Sequence, residues 1–419
     1  MMNWLGTACF VLAVLHTFAA SWFMELAEKY PEGSIRENFF HLIGEIEVVF
    51  GFWAGILVIL TAVFVGLSDA VQYVDNLNFT EPLFVFAILI VSATPAVIRV
   101  AGKLILGVSR LLPFPGEARV LFSCLVVGPL LGSLITEPAA MTVTAMLLRD
   151  RYFSGPMTQR FRYATLAVLF VNVSIGGVLT HFAAPPVLMV AGTWQWTTPF
   201  MLTHFGWKAA IAVFVNAALI TWAFRKELAA LPARTAEGLP GENIPGWLMG
   251  VHLFFLAGIV LTAHHPSLFL GLLLYFIGVT VITREFQDNL KIREGLLVAY
   301  FLAGLVVLGG LQSWWLAPLI GRMDSAVLFF GTAGLTAVTD NAALTYLGSR
   351  IPDVSDSFKY ALVAGAVAGG GLTVIANAPN PAGFSILQGA FEHGAIQAGK
   401  LLLAALIPTG VALAALWLL

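Results

Sequence analysis

The sequence predicts an all-α polytopic membrane protein with two inverted-topology repeats. Of its 419 residues, 59% are hydrophobic and only 11% are charged, whereas about 25% of the residues in a soluble domain are charged. Several apolar stretches approach the roughly 20 residues that a helix needs to cross a bilayer. A short sequence motif, which we call the repeated phrase, occurs once in each half of the chain, and this repetition predicts the two repeats.

The repeated phrase has two parts. Residues 136–140 read Thr-Glu-Pro-Ala-Ala and residues 339–343 read Thr-Asp-Asn-Ala-Ala, so each copy places a carboxylate after a threonine. A Gly-Gly-x-Leu-Thr segment follows each copy, at 176–180 and at 369–373. Both carboxylates lie inside apolar stretches, where acids are costly, and they are therefore candidates for function.

The remaining composition excludes other classes of protein. The formal net charge of −2 does not indicate a nucleic-acid partner, because most charges lie in loops, and the expected partner is the lipid bilayer. Cys9 and Cys124 are the only cysteines, so neither a disulfide framework nor a Cys-rich metal site is expected. No His-Glu-x-x-His motif or nucleophile with its base is present, and we do not expect an enzyme or a resident cofactor.

Taken in order, the first half has one interrupted span and one hairpin. Two consecutive prolines, Pro185 and Pro186, indicate the interruption, because proline removes a backbone donor and clashes with the preceding turn. The predicted elements are spans at 4–24, 39–65, 83–98 and 207–224, a hairpin between Arg119 and Arg149, and a span from 162 that breaks at 183–186 and continues towards 196.

The second half repeats this order after a polar stretch. We therefore assign residues 1–224 to the first repeat, 225–245 to a cytoplasmic linker and 246–419 to the second repeat. Each repeat has about five spans, one re-entrant hairpin and one broken helix. The predicted elements of the second repeat are spans at 247–263, 267–283, 295–312 and 401–419, a hairpin over 324–350, and a span over 358–375 that breaks at 376–381 and continues to about 397.

The hairpins follow from length and charge. Between Arg119 and Arg149 lie 29 mostly apolar residues, interrupted by Gly128, Pro129 and Glu137. We expect each half to be too short to cross the membrane, and the arginines at both ends indicate that the chain returns to the side it came from. With the Lys- and Arg-rich loops inside, the N-terminus lies outside, the first hairpin enters from the cytoplasm and the second enters from outside.

The hairpin tips and helix breaks together predict a cation site. Interrupted helices at membrane depth expose backbone groups, and carboxylate, amide and hydroxyl oxygens suit a small cation. We expect Glu137 and Asp340 to occupy equivalent tips and, with Asn341, to bind Na+. A buried carboxylate resists ionisation unless a cation or proton compensates it, so Na+ and protons should compete. The full candidate set for cation and proton binding is Thr136, Glu137, Thr339, Asp340, Asn341, Asn377 and Asn380.

Other polar residues have two interpretations. Glu45, Glu47 and His181 are candidates for a proton relay, or they belong to helix packing, and His41 and Glu45 have the i, i+4 spacing of an ion pair. Asn377 and Asn380 bind the cation directly or satisfy backbone groups freed at the break. The double histidine at 264–265 is expected to be solvated in an external turn.

At the tip phrases and the Gly-Gly-x-Leu-Thr segments, the chain resembles the ion transporter superfamily, most closely a Na+/H+ antiporter family within it. The resemblance covers nearly the whole chain and implies scaffold and transport domains and a homodimer. Anion carriers of the superfamily have neutral tips, whereas Glu137 and Asp340 would repel a dicarboxylate. We therefore expect proton-coupled Na+ antiport in the bacterial inner membrane; an organic-anion or oxyanion carrier on the same scaffold is the alternative.

Overall fold

The computed structural model describes residues 1–231 and 243–419, and this part of the chain is all-helical without β-strands. The helices of the first half are α1 (Met2–Ala27), α2 (Ile35–Gly44), α3 (Ile46–Phe64), α4 (Leu67–Asp75), α5 (Thr80–Ser92), α6 (Pro95–Ser109), α7 (Glu117–Ile135), α8 (Glu137–Leu148), α9 (Gln159–Gly176), α10 (Pro185–Trp194), α11 (Thr198–Met201), α12 (Trp207–Ala223) and α13 (Arg225–Ala229). A 3-10 turn extends α9, and π-helical turns follow α8 and α11.

The helices of the second half are α14 (Gly246–Leu261), α15 (Pro266–Ile282), α16 (Ile292–Gly309), α17 (Ser313–Ile320), α18 (Ser325–Thr336), α19 (Asn341–Ser349), α20 (Asp356–Gly369), α21 (Asn380–Leu387) and α22 (Ala398–Leu418). Short 3-10 turns follow α15 and α21. The predicted linker begins with α13, and its residues 232–242 lie outside the described residues.

Within the described residues, seven helical segments are long and apolar enough to cross a membrane. They are α1, α3, α7, α9 with its 3-10 extension, α11 continued into α12, α16 and α22. The pair α4 and α5 also passes together but is bent by 59°. The predicted all-helical membrane fold is therefore confirmed, and the first and last predicted spans correspond to α1 and α22.

The bounds of two predicted spans are wrong because each predicted range contains a break. The span at 39–65 divides at Glu45, which is extended and separates α2 from α3. The span at 83–98 ends with α5, and α6 begins at Pro95 and continues to Ser109. Proline is disfavoured inside a helix but is tolerated in the first turn, so Pro95 favours the start of a new helix at this position.

Both predicted helix breaks occur earlier in the chain than we expected. α9 ends at Gly176 and α20 at Gly369, at the glycine pairs, and the prolines that we assigned to the breaks begin α10 and α21. Glycine has a low helix propensity and proline is tolerated in the first turn, so the glycines end one helix and the prolines begin the next. α21 also ends at Leu387, well before residue 397.

The first hairpin has one arm that is longer than predicted. α7 has 19 residues and passes the length test for a span, so our expectation that both arms are too short is wrong for this arm. α7 continues through Pro129, which leaves the Leu125 carbonyl without its usual helical donor. The Asn172 amide donates to that carbonyl at 2.8 Å. A buried side chain on α9 thus replaces the missing backbone hydrogen bond.

The two arms of this hairpin lie side by side. A Cβ on Gly128 would meet the Thr144 hydroxyl at 2.1 Å, so the arms approach most closely where a side chain is missing. At the open end, Glu117 at the start of α7 and Arg151 after α8 form a buried salt bridge of 3.1 Å. Both ends of the hairpin therefore meet in one place. The second hairpin is more open, since α18 packs chiefly on α20 and α19 chiefly on α10.

The helices pack in two groups that share one apolar core. α1, α3, α5, α14, α15 and α16 contact one another, with the closest approach at Gly304, where a Cβ would meet the backbone of Phe50 and Gly51 within 2.6 Å. The hairpins and broken helices form the other group with α12 and α22. Within it, α8 packs on α21 and α19 packs on α10, so each hairpin's second arm contacts the broken helix of the opposite half.

Candidate functional site

Glu137 is the first residue of α8, and its carboxylate is completely buried. Its Oε2 accepts a hydrogen bond from the Asn377 amide at 2.9 Å, and its Oε1 has no hydrogen-bond partner among the described residues. Oε1 lies against Gly177, where a Cβ atom would come within 2.3 Å of it. An ionised carboxylate in such surroundings needs a compensating charge, so it must take up a proton or face a cation.

Asn341 is the first residue of α19 and is also completely buried. Its backbone N–H donates to the Ala376 carbonyl at 3.1 Å. Neither atom of its side-chain amide has a hydrogen-bond partner among the described residues. A Cβ on Gly370 would lie 2.8 Å from the amide nitrogen and 2.1 Å from the hydroxyl of Ser174, so both groups lie close to this glycine.

The unwound residues 370–379 connect the two hairpin tips. Ala376 accepts from Asn341 of the second hairpin, and the next residue, Asn377, donates to Glu137 of the first. Two consecutive residues of the break therefore contact both tips. A movement of this segment would therefore act on both hairpins together.

Asn380 closes the unwound segment. Its amide nitrogen donates to the carbonyls of Gly370 and Thr373, each at 2.8 Å, so it satisfies backbone groups that the broken helix leaves free. Its Oδ1 has no partner in the described part of the protein. Four buried side-chain oxygens of the predicted set lack a hydrogen-bond partner among the described residues: Glu137 Oε1, Asn341 Oδ1, Asn377 Oδ1 and Asn380 Oδ1.

The two copies of the repeated phrase make matching hydrogen bonds. Thr180, which ends the first Gly-Gly-x-Leu-Thr segment, donates to the Ser133 carbonyl at 2.7 Å. Thr373, which ends the second, donates to the Ala337 carbonyl at 2.9 Å. In each copy the broken helix is thereby tied to the hairpin three residues before the cap of its second arm.

These contacts correct the predicted alignment of the acids by one residue. Gly177 contacts Glu137, and Gly370, in the same position of its own segment, contacts Asn341. Glu137 therefore corresponds to Asn341, the first residue of the second arm, and does not correspond to Asp340. The sequence alignment matched the two carboxylates, whereas the helix starts match a carboxylate with a neutral amide.

Thr136 and Asp340 are the corresponding residues before each second arm, and they differ. Thr136 has a left-handed φ of +77°, and its hydroxyl contacts that of Ser92 at 3.2 Å. Asp340 is a helix N-cap whose Oδ1 accepts from the backbone N–H groups of Ala342 and Ala343. Asp340 is half-buried, and its charge still acts on Glu137 through space.

The candidate relay residues lie in different places. Glu45 forms a salt bridge with Arg293, and the half-buried Glu47 acts electrostatically on Asp340. The predicted pair of His41 with Glu45 is wrong, because α2 ends at Gly44; His41 instead contacts Glu37 at 3.5 Å.

His181, the third relay candidate, hydrogen-bonds to Thr198 at 2.9 Å. Thr339 is half-buried in the turn before Asp340.

Sequence reasoning missed several residues of this site. Gly177 and Gly370 were recognised as part of the Gly-Gly-x-Leu-Thr segments but not as neighbours of the site, and their matching position in the two segments was a usable signal. Ser92 and Ser174 contact the site from α5 and α9, and no pattern in the sequence distinguishes them from other buried serines. Among the described residues, no group of three or more His, Cys, Asp or Glu side chains fits a metal ion.

A family model described as "Putative Na+/H+ antiporter" matches residues 1–419. The chain belongs to this family. Family membership and the apolar helices together indicate an integral multi-pass membrane protein, and they fit transport of Na+ and H+. The predicted resemblance to a Na+/H+ antiporter family is thus confirmed, while its place in the ion transporter superfamily remains a prediction. A comparison with curated proteins finds no match.

The position of Gly177 in this antiporter-family protein gives a test of the site. Gly177→Ala places a methyl group where the Glu137 carboxylate lies, so the carboxylate must shift. We expect the apparent Na+ affinity of exchange to fall about tenfold, roughly 1.4 kcal/mol. Gly331→Ala is the control, because a Cβ there meets nothing within 4 Å. Assays of Na+-dependent pH change in proteoliposomes measure both, and equal affinities would contradict the expectation that Glu137 binds the ion.

Proposed function

We propose that the protein exchanges Na+ for H+ by alternating access at a site formed by Glu137, Asn341, Asn377 and Asn380. The observation that carries the proposal is that the buried Glu137 Oε1 and the buried side-chain oxygens of Asn341, Asn377 and Asn380 all lack a hydrogen-bond partner among the described residues. Oxygen ligands from interrupted helices are typical of Na+ sites in secondary transporters. Such oxygens are costly to leave unpaired in an apolar interior, and a cation would satisfy several of them at once.

The charge balance supports exchange of the two ions. Asn377 donates to Glu137 Oε2, which leaves Oε1 as the atom that takes a proton or contacts Na+. Asn341 is neutral, so the buried part of the site holds one negative charge. One proton or one Na+ balances that charge, and each ion excludes the other. Asp340 is a second acid nearby, and we assign it a supporting electrostatic role besides its helix cap.

Alternating access would use the two repeats, residues 1–224 and 246–419, in opposite orientations. The matching contacts of Thr180 with Ser133 and of Thr373 with Ala337 support a shared local geometry. The Glu117–Arg151 salt bridge supports a first hairpin that returns to its own side. With the basic loops in the cytoplasm, the first hairpin approaches the site from inside and the second from outside.

Labelling of single cysteines tests this orientation. On a background lacking Cys9 and Cys124, we expect positions near Arg119 and Arg149 to react from the cytoplasm. Positions near Asp324 and Pro352 should react from outside, because the second repeat is inverted. Membrane-impermeant thiol reagents applied to intact cells and to everted vesicles distinguish the sides. If the two ends of either hairpin react from opposite faces, the re-entrant model fails.

Neutralisation of the buried acid tests the ion site. Glu137→Gln keeps the size of the side chain but removes its charge, so exchange should fall at least about a hundredfold, since the site can no longer balance Na+. Asp340→Asn should reduce exchange less, and the exposed Asp69→Asn is the control with an expected wild-type rate. The measurement is Na+-induced pH change in proteoliposomes, compared with Li+, K+, Ca2+ and citrate. A folded double variant of Glu137 and Asp340 that exchanges at the wild-type rate would exclude the site.

A further inference from the structure

A second group of titratable side chains lies away from Glu137, around a small cavity. The cavity measures about 10 Å3, room for roughly one water molecule. Glu81 from α5, His181 from the break after α9 and His264 from the turn between α14 and α15 line it. Three segments that are distant in sequence thus bring one carboxylate and two imidazoles to one place.

The two histidines are stacked. Their ring centroids are 5.7 Å apart with an interplanar angle of 20°. His181 is half-buried and its Nδ1 hydrogen-bonds to Thr198, whereas His264 is exposed, as predicted for the external turn. Two imidazolium charges at this distance repel each other, so the pair favours a single proton. The stacked pair therefore has contact with the solvent through the exposed His264 ring.

Glu81 adds a negative charge to this pair. It lies in the first turn of α5, and Gly192 of α10 makes room for it, since a Cβ there would be 2.8 Å from Glu81 Oε1. Its carboxylate and the His264 ring attract each other when both are charged. A carboxylate beside two imidazoles favours the binding of one proton. A proton on the carboxylate makes it neutral, and a proton on an imidazole makes an ion pair with the carboxylate.

The neighbouring elements contribute few other charges to this place. On α19, Tyr346 lies within the electrostatic reach of the Glu81 carboxylate, and the Arg350 guanidinium lies 6.0 Å from the centre of the Tyr346 ring. On α14, the His252 ring hydrogen-bonds to the side chains of Thr94 and Gln287. His265 follows His264 in the turn but does not line the cavity.

The cluster is joined to the ion site through the broken helix. His181 follows Thr180, whose hydroxyl holds the Ser133 carbonyl of the first hairpin. Three residues before Thr180, Gly177 contacts the Glu137 carboxylate. A change in the charge of His181 therefore acts on a short segment that is bonded to the hairpin and touches the buried acid.

We propose that Glu81, His181 and His264 form a proton-binding cluster, in exchange with the solvent, whose occupancy sets the pH range in which the Glu137 site exchanges Na+ for H+. The proposal rests on the exchange function proposed above. In the orientation given by the basic loops, the turn that carries His264 faces the outside, so the cluster responds to external pH.

Two substitutions and one control test the cluster. We expect His181→Gln and Glu81→Gln to shift the pH of half-maximal exchange by about one unit, the size of effect that one nearby charge produces. The half-saturating Na+ concentration, measured at the optimal pH of each variant, should stay within about twofold, because neither residue contacts the ion site. His265→Gln, in the same turn, should keep the wild-type profile. Wild-type pH profiles for both His181→Gln and Glu81→Gln would overturn the proposal.

A second measurement separates this inference from the proposed function. The thermal unfolding midpoint of the purified protein in detergent, followed from pH 5 to 8, depends on proton binding and not on transport. We expect His181→Gln and Glu81→Gln to change the slope of that midpoint with pH, and His265→Gln to leave it unchanged. A changed slope in a protein without Na+-driven exchange would refute the proposed function and retain the cluster. Unchanged slopes in both variants would refute the cluster.

Discussion

The hydrogen bond between Asn377 and Glu137 is the interaction on which the arrangement of the site depends. It joins the unwound segment of the second repeat to the buried acid of the first, 240 residues away in the chain. A buried carboxylate is tolerated only where donors, protons or cations compensate it. The amide donates to Oε2 and leaves Oε1 without a hydrogen-bond partner among the described residues, and in the proposed function Oε1 takes a proton or Na+.

The two copies of the repeated phrase make similar contacts and differ in charge. Threonines at 180 and 373 hold each hairpin in the same way, and glycines at 177 and 370 admit the first residue of each second arm. That residue is an acid in one repeat and an amide in the other. A single buried charge is a simpler basis for exchange than two, because one proton or one Na+ balances it. The position of Asp340, as a helix cap, gives the second acid a structural function as well.

Much of the site could be predicted from the sequence, because polar residues in an apolar chain are few and the phrase is repeated. Glu137, Asn341, Asn377 and Asn380 are all buried, and each has a side-chain oxygen without a hydrogen-bond partner among the described residues. The breaks were harder to place. Pro129 lies within α7 because Asn172, far away in sequence, donates to the freed Leu125 carbonyl. The pattern around one proline contains no information about that donor.

The pairing of the acids shows the same limit. Residue identity aligned Glu137 with Asp340, whereas the helix starts align it with Asn341, and only the three-dimensional contacts of Gly177 and Gly370 decide between these registers. The stack of His181 on His264 likewise joins two segments that are distant in the chain, and neither segment alone predicts it. Contacts between segments that are distant in the chain therefore determine the register of the two copies and the histidine stack, which the repeated phrase alone does not predict.

The most direct test of the central claim is whether Na+ displaces a proton from Glu137 in the purified protein. The protein in detergent, in weakly buffered solution near the pH of half-maximal exchange, is mixed with Na+ while a pH indicator follows proton release, and K+ serves as the control. We predict release of up to about one proton per chain for the wild type with Na+, and none for Glu137→Gln, because one carboxylate holds either ion. Equal release from Glu137→Gln, or no release from a wild-type protein that binds Na+, would contradict the account.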